Sequence, residues 1–344
     1  MNINEIKEAL SLLTKNGHVP FITAQPGVGK SDTVRQFAES RAEDMGIPFW
    51  EGPENYDPNG FGFIDLRLAT VDSIDLGGLP LINTDKQTTQ FTRSPYIPEA
   101  GYGVLFLDEL PQAKAGNQAA VSQLILDKRV GSHALGENWV IIAAGNRAQD
   151  RAATHKMPTH VANRLTQLDL DFSIDVFEQY MIDNNIHEAA IAFAKYRPDL
   201  LESFKADQDI NCTPRSFIAA SEYIDVSDAL QYSLMAGTIG EGPTAEFIGF
   251  TKIYQNLPPL MQFEQNPKKV PIPDKADIMF ACIQRLAHNV TDKNIKALAK
   301  FIDRLKDAPE RQVQFWKAAT NKNPDIGCTD EFQDFISDNQ DIIL

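Results

Sequence analysis

One stretch limits what this chain can fold into more than any other: Ala24-Gln25-Pro26-Gly27-Val28-Gly29-Lys30-Ser31. It lies between an apolar run, Val19-Pro20-Phe21-Ile22-Thr23, and a helix-like run from Asp32 to Met45. A strand, a glycine-rich turn and a helix in that order build a phosphate cradle. The glycines let successive backbone N–H groups point into one concavity, and the helix N-terminus adds positive potential there. Lys30 is then placed to reach the outer phosphates of a nucleotide, and the Ser31 hydroxyl to ligate Mg²⁺. The strict spacing has glycine where this chain has Ala24. A methyl is the smallest Cβ, so the loop is expected to form with slightly less backbone latitude. The plainer reading is a Gly/Pro turn ahead of a helix, which would not call for Gly-Lys-Ser behind a strand.

A second apolar run, Gly103-Val104-Leu105-Phe106-Leu107, ends in Asp108-Glu109. Unbroken apolarity fits a central parallel strand buried on both faces, with its carboxylates delivered to the crevice at the strand ends. There Asp108 can hold Mg²⁺ through its water shell, and Glu109 can polarise a water. Many strands simply end in acidic turns; the phosphate cradle upstream favours the functional reading. Trp139-Val140-Ile141-Ile142-Ala143-Ala144 is another such strand, and Gly145-Asn146 closes it with an amide able to orient water or sense a phosphate, or with an ordinary turn. Helix signals across Thr159 to Asn163 lead to Arg164 and a last strand through Leu165, Leu168 and Leu170. Arg164 is poorly explained as core. It serves either a surface ion pair or a phosphate bound to a neighbouring subunit.

Elsewhere in the first half, Ile6, Ala9, Leu10, Leu12 and Leu13 recur at helical spacing and stop at Asn16-Gly17. Glu51 to Gly62 reads as loop, Phe63 to Leu68 as a strand, and Asp75 to Pro80 as a turn. Hairpins are expected across Pro80 to Phe91, tipped near Asp85-Lys86, and across Arg129 to Gly136, with a helix from Gln112 to Leu126 between them. From Asp171 onward the strand signals stop. Eight helices are expected between Val176 and Thr320, interrupted by a proline-rich connection from Asn256 to Pro273. The acidic segment Asp325 to Leu344 reads as loosely held.

With 344 residues the chain has room for two or three domains, and 43% hydrophobic residues exclude wholesale disorder. Lys and Arg number 32 against 47 Asp and Glu, a formal net charge of −15, so there is no broad basic footprint for nucleic acid. Cys212, Cys282 and Cys328 lack metal-ligand spacing and read as reduced thiols, Cys212 as a buried small hydrophobe in preference to a redox-responsive group. His133, His155 and His160 are not spaced as a metal site, and Trp50, Trp139 and Trp316 read as core anchors. The start, Met1-Asn2-Ile3-Asn4-Glu5, carries no signal-peptide pattern, and no apolar run approaches membrane-spanning length. A soluble cytoplasmic protein is expected.

Taken in order, Gln25 to Ser31 (Walker A), Leu105 to Glu109 (Walker B), Gly145-Asn146 (sensor 1) and an Asn163-Arg164 finger resemble AAA+ ATPases. More closely, they resemble the MoxR-type branch of bacteria and their phages. The stretches Asp65 to Leu68 with Asp75 to Pro80, Gln123 to Arg129, and Ala144 to Arg147 with Asp150-Arg151-Ala152 add to the match. Thr213-Pro214-Arg215-Ser216 resembles a sensor 2 motif, and Gly240-Glu241-Gly242 with Ala245-Glu246-Phe247 is also similar to this branch. The resemblance runs from Val19 to Phe250, and Ala24 is its main departure.

It implies an α/β fold with a five-stranded parallel sheet flanked by helices, then an all-α lid and a C-terminal helical region. The corresponding boundaries are 1–172, 173–256 and 257–344. It also implies Mg²⁺-dependent ATP hydrolysis, with Gln25, Pro26, Gly27, Val28, Gly29, Lys30, Ser31 and Asp32 binding nucleotide and Ser31 and Asp108 serving the metal. Glu109, Asn146, Arg164 and Arg215 would be catalytic. Such subunits form a ring, usually a hexamer, in which Arg164 of one serves the nucleotide of the next. A partner with a von Willebrand factor A domain is implied by the family alone. Chaperone-like remodelling of a protein is therefore the leading expectation. A nucleic-acid motor of the same fold, disfavoured by the −15 charge, and an ATP-gated scaffold with little turnover remain the alternatives.

Overall fold

The computed structural model describes residues 1–85, 87–147, 150, 157–202 and 204–339, apart from the side chain at 115. The chain divides into two compact units: Met1–Ser173 with Phe204–Asp209, and Ile174–Ser203 with Ile210–Leu344. Arg151, Ala152, His155 and the hairpin-tip Lys86, all singled out in the sequence, lie outside the described residues, as do residues 340–344.

The first unit is an α/β layer structure. Its elements run α1 (Ile3–Lys15), β1 (Val19–Ala24), α2 (Lys30–Met45), β2 (Phe49–Glu51), β3 (Phe61–Arg67), α3 (Ser73–Gly77), β4 (Pro80–Asn83), β5 (Thr88–Phe91) and β6 (Tyr102–Asp108). They continue with α4 (Ala115–Asp127), β7 (Arg129–Val130), β8 (His133–Ala134), β9 (Trp139–Asn146), α5 (Thr159–Ala162) and β10 (Leu165–Asp169). The main sheet has the order β10-β1-β9-β6-β3-β2, and every pairing in it is parallel.

The apolar runs are continuous because both faces are covered. On β6, Leu105 and Leu107 enter one core layer with α4 residues Val121 and Leu124. Val104 and Phe106 enter the other, with α1 and α2 residues Ile6, Leu10, Val34 and Phe37.

The sheet therefore carries a sixth strand beyond the five expected. Glu51 to Gly62 is not all loop: Glu51 ends β2 at the edge, a 3₁₀ turn spans Pro53–Asn55, and Phe61 already belongs to β3. The edge is fixed by Trp50, 8% exposed, whose ring lies 5.8 Å from that of Trp139. Both indoles fit only because Gly62 and Gly103 are bare. A Cβ on Gly62 would strike both rings, and one on Gly103 would come within 2.6 Å of Trp139.

Smaller differences have local causes. Leu12 is exposed, since the helix buries only the Ile6–Leu10 stripe. Asp75 to Pro80 is not simply a turn, because Asp72 and Asp75 form a reciprocal capping box that starts α3. The helix expected from Gln112 begins only at Ala115, after a 3₁₀ turn over Leu110–Gln112.

The second unit is helical throughout its described residues: α6 (Ile174–Asp183), α7 (Glu188–Tyr196), α8 (Pro198–Glu202), α9 (Pro214–Ser221), α10 (Asp228–Ile239) and α11 (Glu241–Gln255). There follow α12 (Leu260–Gln265), α13 (Ala276–His288), α14 (Ile295–Ile302), α15 (Pro309–Lys322) and α16 (Asp330–Asp338). Its core holds stacked and tilted aromatics, Phe193 with Phe217, Phe247 and Phe250.

The proline-rich connection hides α12, because Pro259 sits at its N-cap and does not break it. Phe263 anchors that helix edge-on to Phe301 at 4.9 Å. The acidic C-terminal stretch is likewise packed over its described part: Ile326 is buried, and Phe335 of α16 lies 5.8 Å from Trp316.

Glu178, fully buried, accepts two 2.8 Å bonds from Lys195 and one of 3.1 Å from Asn321, with His288 Nε2 at 3.9 Å. Burial alone would push this carboxyl up. The His288 ring and the Lys195 ammonium outweigh that and hold it below the usual range. Among the described residues no helix is long and apolar enough to cross a membrane.

Candidate functional site

The site is built at the C-terminal ends of β1, β6 and β9. Parallel strands deliver their last residues to one edge of the sheet, and the turns that leave them line a crevice. Ala24 ends β1 opposite Asn146, the last residue of β9, and Leu107 of β6 lies opposite Ala143.

From Ala24 the chain enters the glycine turn. Gly27 and Gly29 take φ values of +79° and +88°, the left-handed region where a side chain is strained. A Cβ on Gly29 would meet no atom within 4 Å, so this glycine is demanded by backbone shape and not by crowding. Gly29 is also the N-cap of α2 and offers no side-chain cap. The first N–H groups of a 16-residue helix are thus left facing the crevice. The methyl of Ala24 is fully buried in the sheet layer, which explains why alanine is accepted there.

Three separate segments meet at this turn. Lys30 Nζ donates to Asn146 Oδ1 at 2.9 Å, to the Gln25 carbonyl at 3.2 Å and to that of Ala24 at 3.4 Å. Ser31 Oγ donates to Asp108 Oδ2 at 3.2 Å, while Asp108 Oδ1 accepts the Glu109 N–H at 2.8 Å. Glu109 itself sits at φ +56°, a left-handed conformation uncommon for a residue with a side chain. That turn takes the chain abruptly out of β6, and Glu109 is half-buried directly after Asp108. Val28 and Gln25 are buried, Pro26 is half-buried, and Asp32 is exposed in the first turn of α2.

Two neighbours to which sequence reading assigned no role adjoin this cluster. Asp65 lies on β3, whose Arg67 is registered with Asp108. Burial pushes the Asp65 carboxyl up and the charge of Asp108 adds to this, against a 3.3 Å bond from Arg67. An aspartate inside an otherwise apolar strand, Phe63-Ile64-Asp65-Leu66, was the available signal. Arg147, directly after Asn146, bonds the Leu170 carbonyl at 3.0 Å and Asp171 at 2.7 Å, and so fixes where β9 ends.

Of the remaining expected site residues, Arg164 lies in the same unit but apart from this cluster. It directly precedes β10, whose first residue Leu165 pairs with Val19, at the opposite ends of the strands. Six residues of β1 separate it from the glycine turn, about 20 Å at roughly 3.3 Å per residue. There it lines an open cleft of about 320 Å³ with Gly17, His18, Leu126, Asn163 and Thr166. Arg215 is exposed on α9 of the helical unit, behind a reciprocal Thr213–Ser216 capping box. Cys212 and Cys282 are buried and their thiols are pushed up to about 12, so neither is a nucleophile at neutral pH. His133 is buried as well.

No protein-family model matches the sequence, and no curated protein matches it either. Solved structures similar in fold include a candidate ATPase from Cytophaga hutchinsonii, at 15% identity and a TM-score of 0.36, over 66% of this chain and 60% of that one. A RuvB variant from Thermotoga maritima is similar at 14% identity and a TM-score of 0.37, over 73% and 74% of the two chains. NtrX from Brucella abortus is similar at 11% identity and a TM-score of 0.31, over 91% and 67%. This chain thus spans less than two thirds of the length of the first of these structures.

Proposed function

We propose that this chain is a Mg²⁺-dependent ATPase of the AAA+ type that works as a ring and remodels a protein partner. The observation that carries the reading is the meeting of Lys30, Ser31, Asp108 and Asn146 at an uncapped helix N-terminus, from segments 77 and 116 residues apart.

Lys30 Nζ is held by three oxygen acceptors, the Ala24 and Gln25 carbonyls and Asn146 Oδ1, an environment that phosphate oxygens would reproduce. The Ser31–Asp108 oxygen pair suits a hard divalent cation. Bound there, Mg²⁺ would offset charge on the β- and γ-phosphates.

In the proposed cycle the turn N–H groups and Lys30 hold the triphosphate. Asn146, released from Lys30, orients water against the γ-phosphorus, and Glu109 takes its proton. Phosphoryl transfer needs little covalent help, so positioning and charge carry the rate. Arg164 cannot reach its own chain's turn across about 20 Å of strand, which supports service to an adjacent subunit. A trans arginine contributes roughly 10³–10⁵ in rate in P-loop enzymes.

The MoxR-like assignment, the hexamer, the part played by Arg215 and a von Willebrand factor A partner rest on the sequence resemblance. Phosphate release from the purified protein tests the core of the proposal. Wild type should hydrolyse ATP with Mg²⁺, Lys30→Ala should lose nucleotide binding, and single-stranded DNA should not stimulate the rate. Equal turnover by Lys30→Ala and wild type would overturn the site assignment. Salt-sensitive stimulation by DNA would replace the protein partner with a nucleic-acid motor reading, and tight binding without turnover would leave a scaffold.

A further inference from the structure

The net charge of −15 conceals a reversal within the helical unit. Between residues 268 and 307 there are nine Lys or Arg against five Asp and no Glu. On α14 the apolar side chains Ile295, Leu298, Phe301 and Ile302 are buried, which leaves Lys296 and Lys300 on the exposed face. Arg304 follows in a 3₁₀ turn at the next four-residue step, so the three cations form a stripe about 12 Å long at about 1.5 Å per residue.

The stripe ends in an open pocket of about 510 Å³ lined by Lys268, Lys300, Asp303 and Arg304. Arg304 is fixed in place there. Its Nη1 donates to the carbonyls of Pro267 and Val270 at 2.7 Å each, and its guanidinium lies 5.4 Å from the centre of the Phe301 ring. Lys268 and Lys300 are exposed and make no ion pair among the described residues. Lys296 is only loosely paired with Glu331, at 4.0 Å.

We propose that Lys268, Lys296, Lys300 and Arg304 form a docking track for the phosphate backbone of a nucleic acid, bound through charge and without base recognition. Every residue lining the pocket is charged, three cations against one carboxylate, which suits a polyanion better than the charge-depleted centre of a protein interface. The stripe is longer than one phosphate needs and matches a polyanion that repeats its charge every few ångströms. Asp303 is the one opposing charge in the pocket. Burial pushes its carboxyl up, Lys306 pulls against this and Asp338 adds to it. This track is independent of the nucleotide site.

Fluorescence anisotropy of the full-length protein with a labelled mixed-sequence 20-base strand and a 20-base-pair duplex, between 50 and 200 mM salt, tests it. Binding should be indifferent to sequence and weaken steeply with salt. The double variant K268E/K300E should weaken it roughly tenfold or more and flatten the log–log salt slope by about one unit per lost phosphate contact. D303N should tighten binding severalfold, and K30A should bind as wild type does. All four positions are at the surface or half-buried, and thermal melts control for folding. No binding at 50 mM salt, an unchanged affinity and slope in K268E/K300E, loss of binding in K30A, or equal binding of polyglutamate would each overturn the track.

Discussion

The α/β unit and the helical unit each gather polar side chains in the interior, and they do it in opposite ways. At the strand ends Lys30, Ser31, Asp108 and Asn146 are half-exposed and joined by single bonds of 2.9–3.2 Å, on a turn whose N–H groups have no side-chain cap. In the helical core Glu178 is sealed, with Lys195 and Asn321 bonded to it and His288 against it. The first arrangement can exchange its internal bonds for a ligand's at little cost. The second cannot open without leaving a charge stranded in low dielectric. A polar cluster thus signals function when it is accessible and backed by a helix N-terminus that has no side-chain cap, and signals structure when it is closed.

Four substitutions would break or sharpen that contrast. The largest effect is expected from Arg164→Ala, which should lower kcat by about 10³–10⁵ while leaving nucleotide affinity and the melting temperature of the α/β unit unchanged. Mixed with wild type, it should depress activity more than in proportion to its share. Strict proportionality in a mixing titration would remove the trans role. Next, Glu109→Gln should keep ATP binding and lose about 10²–10⁴ in turnover. Single-turnover phosphate release checks this, and a wild-type rate would deprive Glu109 of its role as base.

Lys195→Ala should cost about 3–5 kcal/mol of stability, because it abandons the Glu178 carboxylate in the core. Chemical denaturation of the two proteins measures it. Since the folded carboxyl lies below its unfolded value, its contribution is present above about pH 4.3 and is lost as pH falls through the folded value. Wild type should therefore lose stability in that acid window, and the variant should lose less. The smallest effect belongs to Ala24→Gly. It restores the strict spacing but loosens a buried strand end, so kcat should move less than twofold and stability should fall by about 0.5–1 kcal/mol.

Legibility from sequence followed how narrowly each task restricts residue choice. The turn at Gly27 and Gly29 needs left-handed backbone, and a central strand needs unbroken apolarity before Asp108-Glu109, so few sequences serve and the pattern is readable. The parallel sheet flanked by helices, the two hairpins and the helical second half were expected on those grounds and are present.

What escaped was short or averaged away. Phe49-Trp50-Glu51 is too brief to show a period of two, and its pairing depends on glycines in other strands. The helix at Leu260–Gln265 was masked by prolines that punctuate it without interrupting it. Asp65 is a single acidic residue whose meaning comes from a neighbouring strand. The cationic stripe on α14 vanished into a whole-chain sum dominated by acidic residues.

The bare positions Gly62 and Gly103 bind distant parts of the sequence into a shared fate. Because each leaves room for an indole and for nothing more, the identities at 50, 62, 103 and 139 cannot drift one at a time. Alanine at either glycine would evict a tryptophan and unzip the outermost strand. A shrunken ring would instead open a void that a methyl could then fill. Among diverged descendants of this chain, the four positions should change together or not at all.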